Sequence, residues 1–172
     1  SLTITQPAVL SSSISSQTNV GCNGASTGSA TTTAAGGTSP YSYLWTDGQT
    51  TNPAVSLDAG IYTVTVTDSK SCTSTSSVTI TEPTVLSASI SAQTNVSCNA
   101  GNNGSATVNA SGGTSPYSYL WTGGQTSNPS VNLTAGTYTA TVTDAAGCTA
   151  TTSATITQPA AMTASISAQT NV

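Results

Sequence analysis

The sequence lacks most of the side chains that carry out chemistry. It contains no histidine, no arginine and no phenylalanine, and Lys70 is its single cation. General acid–base and nucleophilic catalysis near neutral pH usually need a histidine, a lysine or a carboxylate with a perturbed pKa. We therefore expect no enzymatic activity and no catalytic residues. The five acidic residues are scattered along the chain: Asp47, Asp58, Asp68, Glu82 and Asp144.

The same shortages argue against most ligands. Nucleic-acid binding needs a basic surface, whereas the net charge of this chain is −4. Zinc sites need clustered cysteine and histidine, and calcium sites need clustered carboxylates; the sequence has neither pattern. No apolar run is long enough to span a bilayer. We expect no cofactor, no metal, no nucleic-acid partner and no membrane insertion in this segment.

What the sequence does contain is a repeat of 76 residues without insertion or deletion. The block at Gly36–Thr46 returns unchanged at Gly112–Thr122, and Cys22-Asn23 returns as Cys98-Asn99. A fixed period of this length indicates an array of equivalent structural units. The run QTNV occurs three times, ending at Val20, Val96 and Val172.

The repeat boundaries are predicted at the dipeptides Gln6-Pro7, Glu82-Pro83 and Gln158-Pro159. These joints contain no Gly/Ser-rich spacer, so we expect neighbouring repeats of the chain to abut. The sequence starts and stops inside a repeat, and we therefore expect it to be a segment of a longer array. The predicted organisation is a last strand of a preceding repeat (1–6), two complete repeats (7–82 and 83–158) and a first strand of a following repeat (159–172).

Apolar and polar residues alternate as they do in β-strands. Tyr62, Val64 and Val66 share one face of a predicted strand, and the intervening threonines share the other. Turn signals such as Asp47-Gly48 separate short runs of this kind, and no segment has helical periodicity. About seven short strands per repeat predict an all-β fold of tandem Ig-like, Greek-key β-sandwich domains.

Aromatic residues recur at positions that a sandwich core needs. Trp45 and Trp121 fall on the inward parity of their strands and are predicted to pack between the two sheets. Tyr62 and Tyr138 each follow a glycine turn at the start of a strand. That placement is typical of a tyrosine corner, in which the hydroxyl hydrogen-bonds back to the preceding loop.

The four cysteines are predicted to form one disulfide within each repeat, Cys22 with Cys72 and Cys98 with Cys148. Each bridge would close a loop of 50 residues, which is worth about 4 kcal/mol in the chain-entropy model. Pairing between repeats is the alternative, which the equal spacing makes less natural. Cysteines without metal-ligand spacing favour an oxidising location outside the cytoplasm.

Several segments together resemble the SprB-type repeat, which occurs in very large surface proteins of Bacteroidota, including gliding-motility adhesins. The resemblance covers the whole chain. It implies a secreted, cell-surface, outer-membrane-attached array exported by the type 9 system, and it does not imply a known ligand for these particular units. The segments are Thr94–Asn99, Gly104–Val108, Gly112–Trp121, Ala135–Ala150 and Ile156–Pro159, with their counterparts one period earlier.

The favoured function is a structural stalk or filament segment that spaces or presents an adhesive tip. One alternative is a module that binds surface glycans by stacking sugars on exposed tyrosines, although packing of these rings against the core or a neighbouring repeat is favoured. Another is self-association of identical chains through uncharged, threonine-rich sheet faces at 63–67 and 139–143. The tyrosines considered for sugar stacking are Tyr41, Tyr43, Tyr117 and Tyr119.

Overall fold

The computed structural model describes residues 6–169, and these divide into two compact units between Val85 and Leu86. Every regular element in residues 6–169 is a β-strand. No stretch of that range forms a helix long and apolar enough to cross a membrane. The strand predicted at 1–6 lies, apart from Gln6, outside the described residues.

Each unit is a sandwich of two three-stranded antiparallel sheets, which confirms the all-β, Ig-like prediction. In the first unit the sheets have the strand orders β1-β2-β4 and β3-β5-β6, so three of its connections cross from one sheet to the other. Its strands are β1 (Ser11–Thr18), β2 (Gly28–Ala35), β3 (Ser42–Trp45), β4 (Ala54–Leu57), β5 (Gly60–Thr67) and β6 (Thr73–Ile80).

The second unit repeats this arrangement, with sheets β7-β8-β10 and β9-β11-β12. Six strands per unit are described instead of about seven. The residues between β3 and β4 form a turn, because the backbone N–H of Trp45 bonds to the carbonyl of Gln49. The strands are β7 (Ser87–Thr94), β8 (Gly104–Ser111), β9 (Ser118–Trp121), β10 (Ser130–Leu133), β11 (Gly136–Thr143) and β12 (Thr149–Ile156).

The core of each unit is thin and built from small residues around one tryptophan. Val64 and Val66 of β5 point inward and are fully buried, while Thr65 between them is half-buried on the outer face. This is the arrangement that strict alternation along a strand produces. The second unit has its own core around Trp121, with Ala140 and Val142 in the places of the two valines.

The first and last strands of a unit lie side by side and run in the same direction. Near their starts, the hydroxyls of Ser12 and Ser74 are 3.0 Å apart. Near their ends, Gln17 Nε2 donates to the carbonyl of Thr79 at 3.3 Å. The chain therefore enters a unit at one end of the sandwich and leaves it at the other.

The segment after β12 forms no strand in the part of the chain that the structure describes. A first strand is predicted at 159–172, but residues 159–169 are irregular, and Met162 is 98% exposed. The equivalent strands β1 and β7 pair with β2 and β8. The described residues contain no corresponding strand for this segment to pair with, which accounts for the difference.

Candidate functional site

One end of the first unit is organised by a buried carboxylate, Asp68, which is 6% exposed. Its Oδ2 accepts a hydrogen bond from the backbone N–H of Thr38 at 2.8 Å. Its Oδ1 accepts from the backbone N–H groups of Lys70 and Cys72, both at 2.8 Å. The carboxylate thus joins two loops, and we call this group the entry cluster because the chain enters the unit here.

The charge state of Asp68 follows from these contacts. Burial disfavours the charged form, but the backbone hydrogen bonds from Thr38, Cys72 and Lys70, with a further bond from the Cys72 side chain, prevail and lower the pKa of the carboxyl below its ordinary value. Asp144 of the second unit has a lowered pKa for the same balance of causes. Both carboxylates are anions whose oxygens accept backbone hydrogen bonds, and this suits a structural role.

The entry cluster requires glycine at one position. A Cβ atom on Gly37 would lie 2.7 Å from Asp68 Oδ2, and the backbone φ there is +60°. Gly113 has the same restriction against Asp144, with φ +58°. Because a side chain would meet both steric conflict and backbone strain here, the second glycine of the GGTSP block leaves room for the carboxylate.

The opposite end of the unit holds the segment that leads out of it, and we call this group the exit cluster. Asn19 Oδ1 accepts from the backbone N–H of Thr81 at 3.0 Å, and Asn23 Nδ2 donates to the carbonyl of Pro83 at 3.0 Å. Asn95 and Asn99 make the corresponding bonds in the second unit, at 3.0 and 3.1 Å. The asparagines that recur with the repeat therefore fix the Gln/Glu-Pro segment to the unit that it leaves.

The cysteines correct the predicted pairing. Cys22 and Cys148 are disulfide-bonded, whereas Cys72 and Cys98 are free and exposed. The predicted pairs Cys22–Cys72 and Cys98–Cys148 are therefore not formed.

The reason lies in the strand that separates the two cysteines of a unit. Cys72 adjoins the first residue of β6, whereas Val20, close to Cys22, bonds to Thr81 just beyond its last. A strand of eight residues is about 26 Å long. A disulfide needs Cα atoms within roughly 7 Å of each other. Closing the pair inside one unit would require the sandwich to unfold.

The predicted core aromatics are engaged within their own units. The side chain of Trp45 is 1% exposed and its Nε1 donates to the carbonyl of Thr51 at 3.0 Å. The hydroxyl of Tyr62 donates to the carbonyl of Asp58 at 3.2 Å, back across the turn before β5. Trp121 and Tyr138 make the equivalent bonds, to the carbonyls of Ser127 and Thr134.

The tyrosines considered for sugar stacking are half-buried. Tyr41 and Tyr43 pack against the core of the first unit, and Tyr117 and Tyr119 against that of the second. The hydroxyl of Tyr41 also donates to the carbonyl of Gly36 at 2.6 Å. Packing of these rings against the core is the interpretation that the sequence analysis favours over sugar stacking. Glycan binding stays a prediction.

Two structural positions were not singled out from the sequence. Asp68 and Asp144 are the only acidic residues that occupy the same position in both repeats, a signal that comparison of the repeats contains. Asn52 acts as part of a sheet: its side-chain amide accepts from the N–H of Thr32 at 3.0 Å and donates to the carbonyl of Thr32 at 2.7 Å. The recurrence of Asn52 as Asn128, one period later, is the sequence signal that could have identified this position.

The described residues contain no group of three or more histidine, cysteine, aspartate or glutamate side chains placed to hold a metal ion. The entry cluster joins two loops, and the exit cluster holds the segment that leads out of the unit. Such an arrangement can anchor the segments that enter and leave a unit, and its cysteines can form disulfides.

Comparison with protein families identifies the repeat. The model of the SprB repeat family matches twice, at residues 14–50 and 90–126. The two matches are one period apart and begin at the same position in each unit. A search of curated protein sequences finds no match.

Among solved structures the chain is similar to Ig-domain proteins. It is 20% identical to a Dscam structure concerned with isoform specificity, covering 86% of this chain and 47% of that one, with a TM-score of 0.37. The amphioxus IgVJ-C2 molecule is 17% identical, with coverages of 71% and 91% and a TM-score of 0.34. The N-terminal eight Ig domains of DSCAM isoform 1.30.30 are 14% identical, with coverages of 88% and 25% and a TM-score of 0.40.

Proposed function

Because the chain carries two SprB repeats, we propose that it is a spacer segment in the extracellular part of a large surface protein. In this role each repeat adds length to a stalk or filament that presents an adhesive tip. The repeat family and the Ig-like sandwich fit an extracellular repeat region. The proposed setting is attachment to an outer membrane after type 9 secretion, in a protein of the gliding-adhesin kind, without enzymatic activity.

The observation that carries this proposal is the position of entry and exit within a unit. The N–H of Gly37 in the entry cluster bonds to the carbonyl of Ala8, and the exit cluster holds Pro83 at the far end of β6. The chain thus advances by at least the length of an eight-residue strand, about 26 Å, for every repeat. A spacer needs this property, whereas a module that enters and leaves at one end lacks it.

The connection between units supports the same function. Six residues separate β6 from β7, from Thr81 to Leu86. The first three of these carry hydrogen bonds to the exit cluster, through Thr81, Glu82 and Pro83. Few residues remain free to rotate, which suits a spacer of restricted flexibility better than a freely jointed chain.

Small-angle X-ray scattering tests the spacer function. The chain is compared with versions lengthened by one and by two further periods of the same sequence. We expect the maximum dimension to rise by a constant increment of at least about 26 Å per period. A maximum dimension that grows much more slowly than this, as for repeats that fold back on one another, would contradict the proposal.

The surface location needs a separate test in the source cells. Intact cells are treated with an antibody against the repeat and with an external protease. A spacer outside the outer membrane is labelled and cleaved before the cells are lysed. Labelling that appears only after lysis would refute the location without affecting the scattering result.

Lateral self-association is a second candidate function, favoured by one observation. Leu44 and Leu120 occupy the same position in the two repeats and are 55% and 54% exposed. Leu44 pairs with Thr65 on the outer face of its sheet, so this face carries an apolar side chain among uncharged threonines. Sedimentation velocity should show concentration-dependent association that the double substitution Leu44→Ser and Leu120→Ser abolishes. Monomers at all concentrations would dismiss this candidate.

A further inference from the structure

We propose that Gln49 and Gln125 are edge caps, whose side-chain amides cover the outer edge of a sheet and keep a second copy of this chain from adding a strand there. An uncovered edge strand presents unpaired N–H and carbonyl groups and is a template for pairing with another chain. Each cap lies within its own unit, and the inference goes beyond the spacer function and does not depend on it.

The first step is the hydrogen bonding of the edge strand β4. This strand is the last of the sheet β1-β2-β4, so one of its sides faces away from β2. The N–H of Val55 in β4 donates to Gln49 Oε1 at 3.0 Å, and Gln49 Nε2 donates to the carbonyl of Val55 at 2.9 Å. A residue of a neighbouring antiparallel strand would offer the same acceptor and donor. The amide therefore takes the place of a further strand.

The second step is that the second unit covers its edge in the same way. The strand β10 is the last of the sheet β7-β8-β10. The N–H of Val131 donates to Gln125 Oε1 at 3.1 Å, and Gln125 Nε2 donates to the carbonyl of Val131 at 2.9 Å. Because both residues lie one period after Gln49 and Val55, the cap recurs with the repeat.

The third step is an independent observation, the way in which each amide is held. In the first unit, Asp47 Oδ2 accepts a hydrogen bond from Gln49 Nε2 at 2.7 Å. In the second unit Gly123 stands in the place of Asp47. There Ser130 Oγ, from a position that is alanine in the first unit, donates to Gln125 Oε1 at 2.9 Å. The repeats thus differ at both supporting positions and still fix the amide, as a capping role requires.

The edges themselves indicate which partner is excluded. The strands β4 and β10 contain neither a charged residue nor a proline, the residues that commonly protect an edge. Val55 and Val131 are 49% and 43% exposed, and β-branched side chains favour pairing across antiparallel strands. Two identical edges are self-complementary about a twofold axis. A net charge of −4 opposes the approach of a second copy only weakly.

Removal of one cap at a time tests the proposal on the full chain. Gln49→Ala and Gln125→Ala are each combined with Leu44→Ser and Leu120→Ser, so that association through the leucine face does not contribute. Each variant has one opened edge and should form dimers in sedimentation velocity. We expect these dimers at protein concentrations at least about tenfold lower than for the capped parent, because two hydrogen bonds no longer compete with the partner.

The matched control is Gln17→Ala in the same background. Gln17 also donates to a backbone carbonyl, that of Thr79 at 3.3 Å, but it does so between two strands that lie side by side. This variant loses an exposed glutamine without opening the edge of β4. It should associate no more strongly than the capped parent.

Amide hydrogen exchange locates the new contact. In dilute Gln49→Ala the N–H of Val55 should exchange rapidly, and at dimer-forming concentrations it should be protected again. Monomers at every concentration, or dimers in which Val55 stays unprotected, would overturn the proposal. If circular dichroism shows that the alanine variant is unfolded, Gln49→Met, which keeps the length of the side chain without its hydrogen bonds, is judged by the same outcomes. Unfolding of both variants would also overturn it, since Gln49 would then be required for folding.

Discussion

At the residue scale, the most informative side chain is the carboxylate of the entry cluster. Asp68 receives three backbone hydrogen bonds, and one comes from Cys72 itself. Asp144 holds Cys148 in the same way, at 2.8 Å. The anion therefore fixes the backbone that carries a cysteine before the last strand.

Acid should weaken the fold through these two carboxylates. Their pKa values in the folded state lie below the ordinary aspartate value of 3.8. A depressed folded pKa contributes stability that is complete above the ordinary value and is lost as the pH falls through the lowered one. We expect the urea midpoint of the chain to fall on acidification across this window. Replacement of both residues by asparagine should lower the midpoint at neutral pH and flatten its acid dependence.

The matched control is Asp58→Asn, since Asp58 is an exposed acid in the first unit. This variant should keep the urea midpoint and the acid dependence of the native chain. If the Asp68→Asn, Asp144→Asn variant had the same acid profile as this control, the carboxylates would not be the source of the sensitivity.

At the scale of the strand, a side chain completes a sheet that the backbone leaves unfinished. Asn128 Oδ1 accepts from the N–H of Val108 at 2.9 Å, and its Nδ2 donates to the Val108 carbonyl at 2.8 Å. Val108 is buried in β8. The amide thus occupies the place of a neighbouring strand just before β10 begins.

Asn128→Ala should destabilise the second unit by about 1–3 kcal/mol, because it leaves a buried N–H and carbonyl without partners. The free energy of unfolding from urea denaturation measures the effect. Asn109→Ala is the control, as Asn109 is exposed on the next residue of the same strand. Equal effects of the two substitutions would show that the amide bonds contribute nothing specific.

Much of the fold was predictable at this scale because its signals are local. The alternation at 62–67 predicts β5, and the inward faces follow from parity alone. Six strands are described in each unit instead of about seven, because the residues that follow β3 and β9 form turns, closed by the bonds from Trp45 N–H to Gln49 and from Trp121 N–H to Gln125.

The end clusters were less predictable, and the cysteines show why. Parity places a residue on a face of a strand but gives no information on which end of the sandwich it occupies. Cys22 and Cys72 look like natural partners in sequence, yet parallel neighbours β1 and β6 put them at opposite ends. The carboxylate of Asp68 was missed because its partners are backbone groups, which a sequence does not distinguish.

At the scale of the whole molecule, the end of a unit lies beyond its last strand. The N–H of Val96, a buried residue, bonds to the carbonyl of Thr157 at 3.0 Å, and Ala100 bonds to Gln158. The described residues after Pro159 are exposed and irregular. The hydrogen bonds of the second unit therefore reach as far as Pro159, and the boundary at Gln158-Pro159 stays a prediction.

Truncation tests this boundary. Removal of residues 160–172 should change the free energy of unfolding by less than about 0.5 kcal/mol, because the affected described residues are exposed. Removal of 157–172 should cost about 1–3 kcal/mol, since it leaves the Val96 N–H unpaired. Urea denaturation of the two shortened chains gives the comparison. A large loss from the shorter deletion would move the boundary beyond Pro159.

The parallel neighbours β1 and β6 have a mechanical consequence. Tension applied between the two ends of a unit pulls the start of β1 and the end of β6 in opposite directions. The bonds Ser12–Ser74, Gln17–Thr79 and Val20–Thr81 then lie across the direction of pull. They are loaded in shear and have to break together instead of opening one after another like a zipper. A repeat of this design resists stretching most strongly along the line that joins the start of β1 to the end of β6.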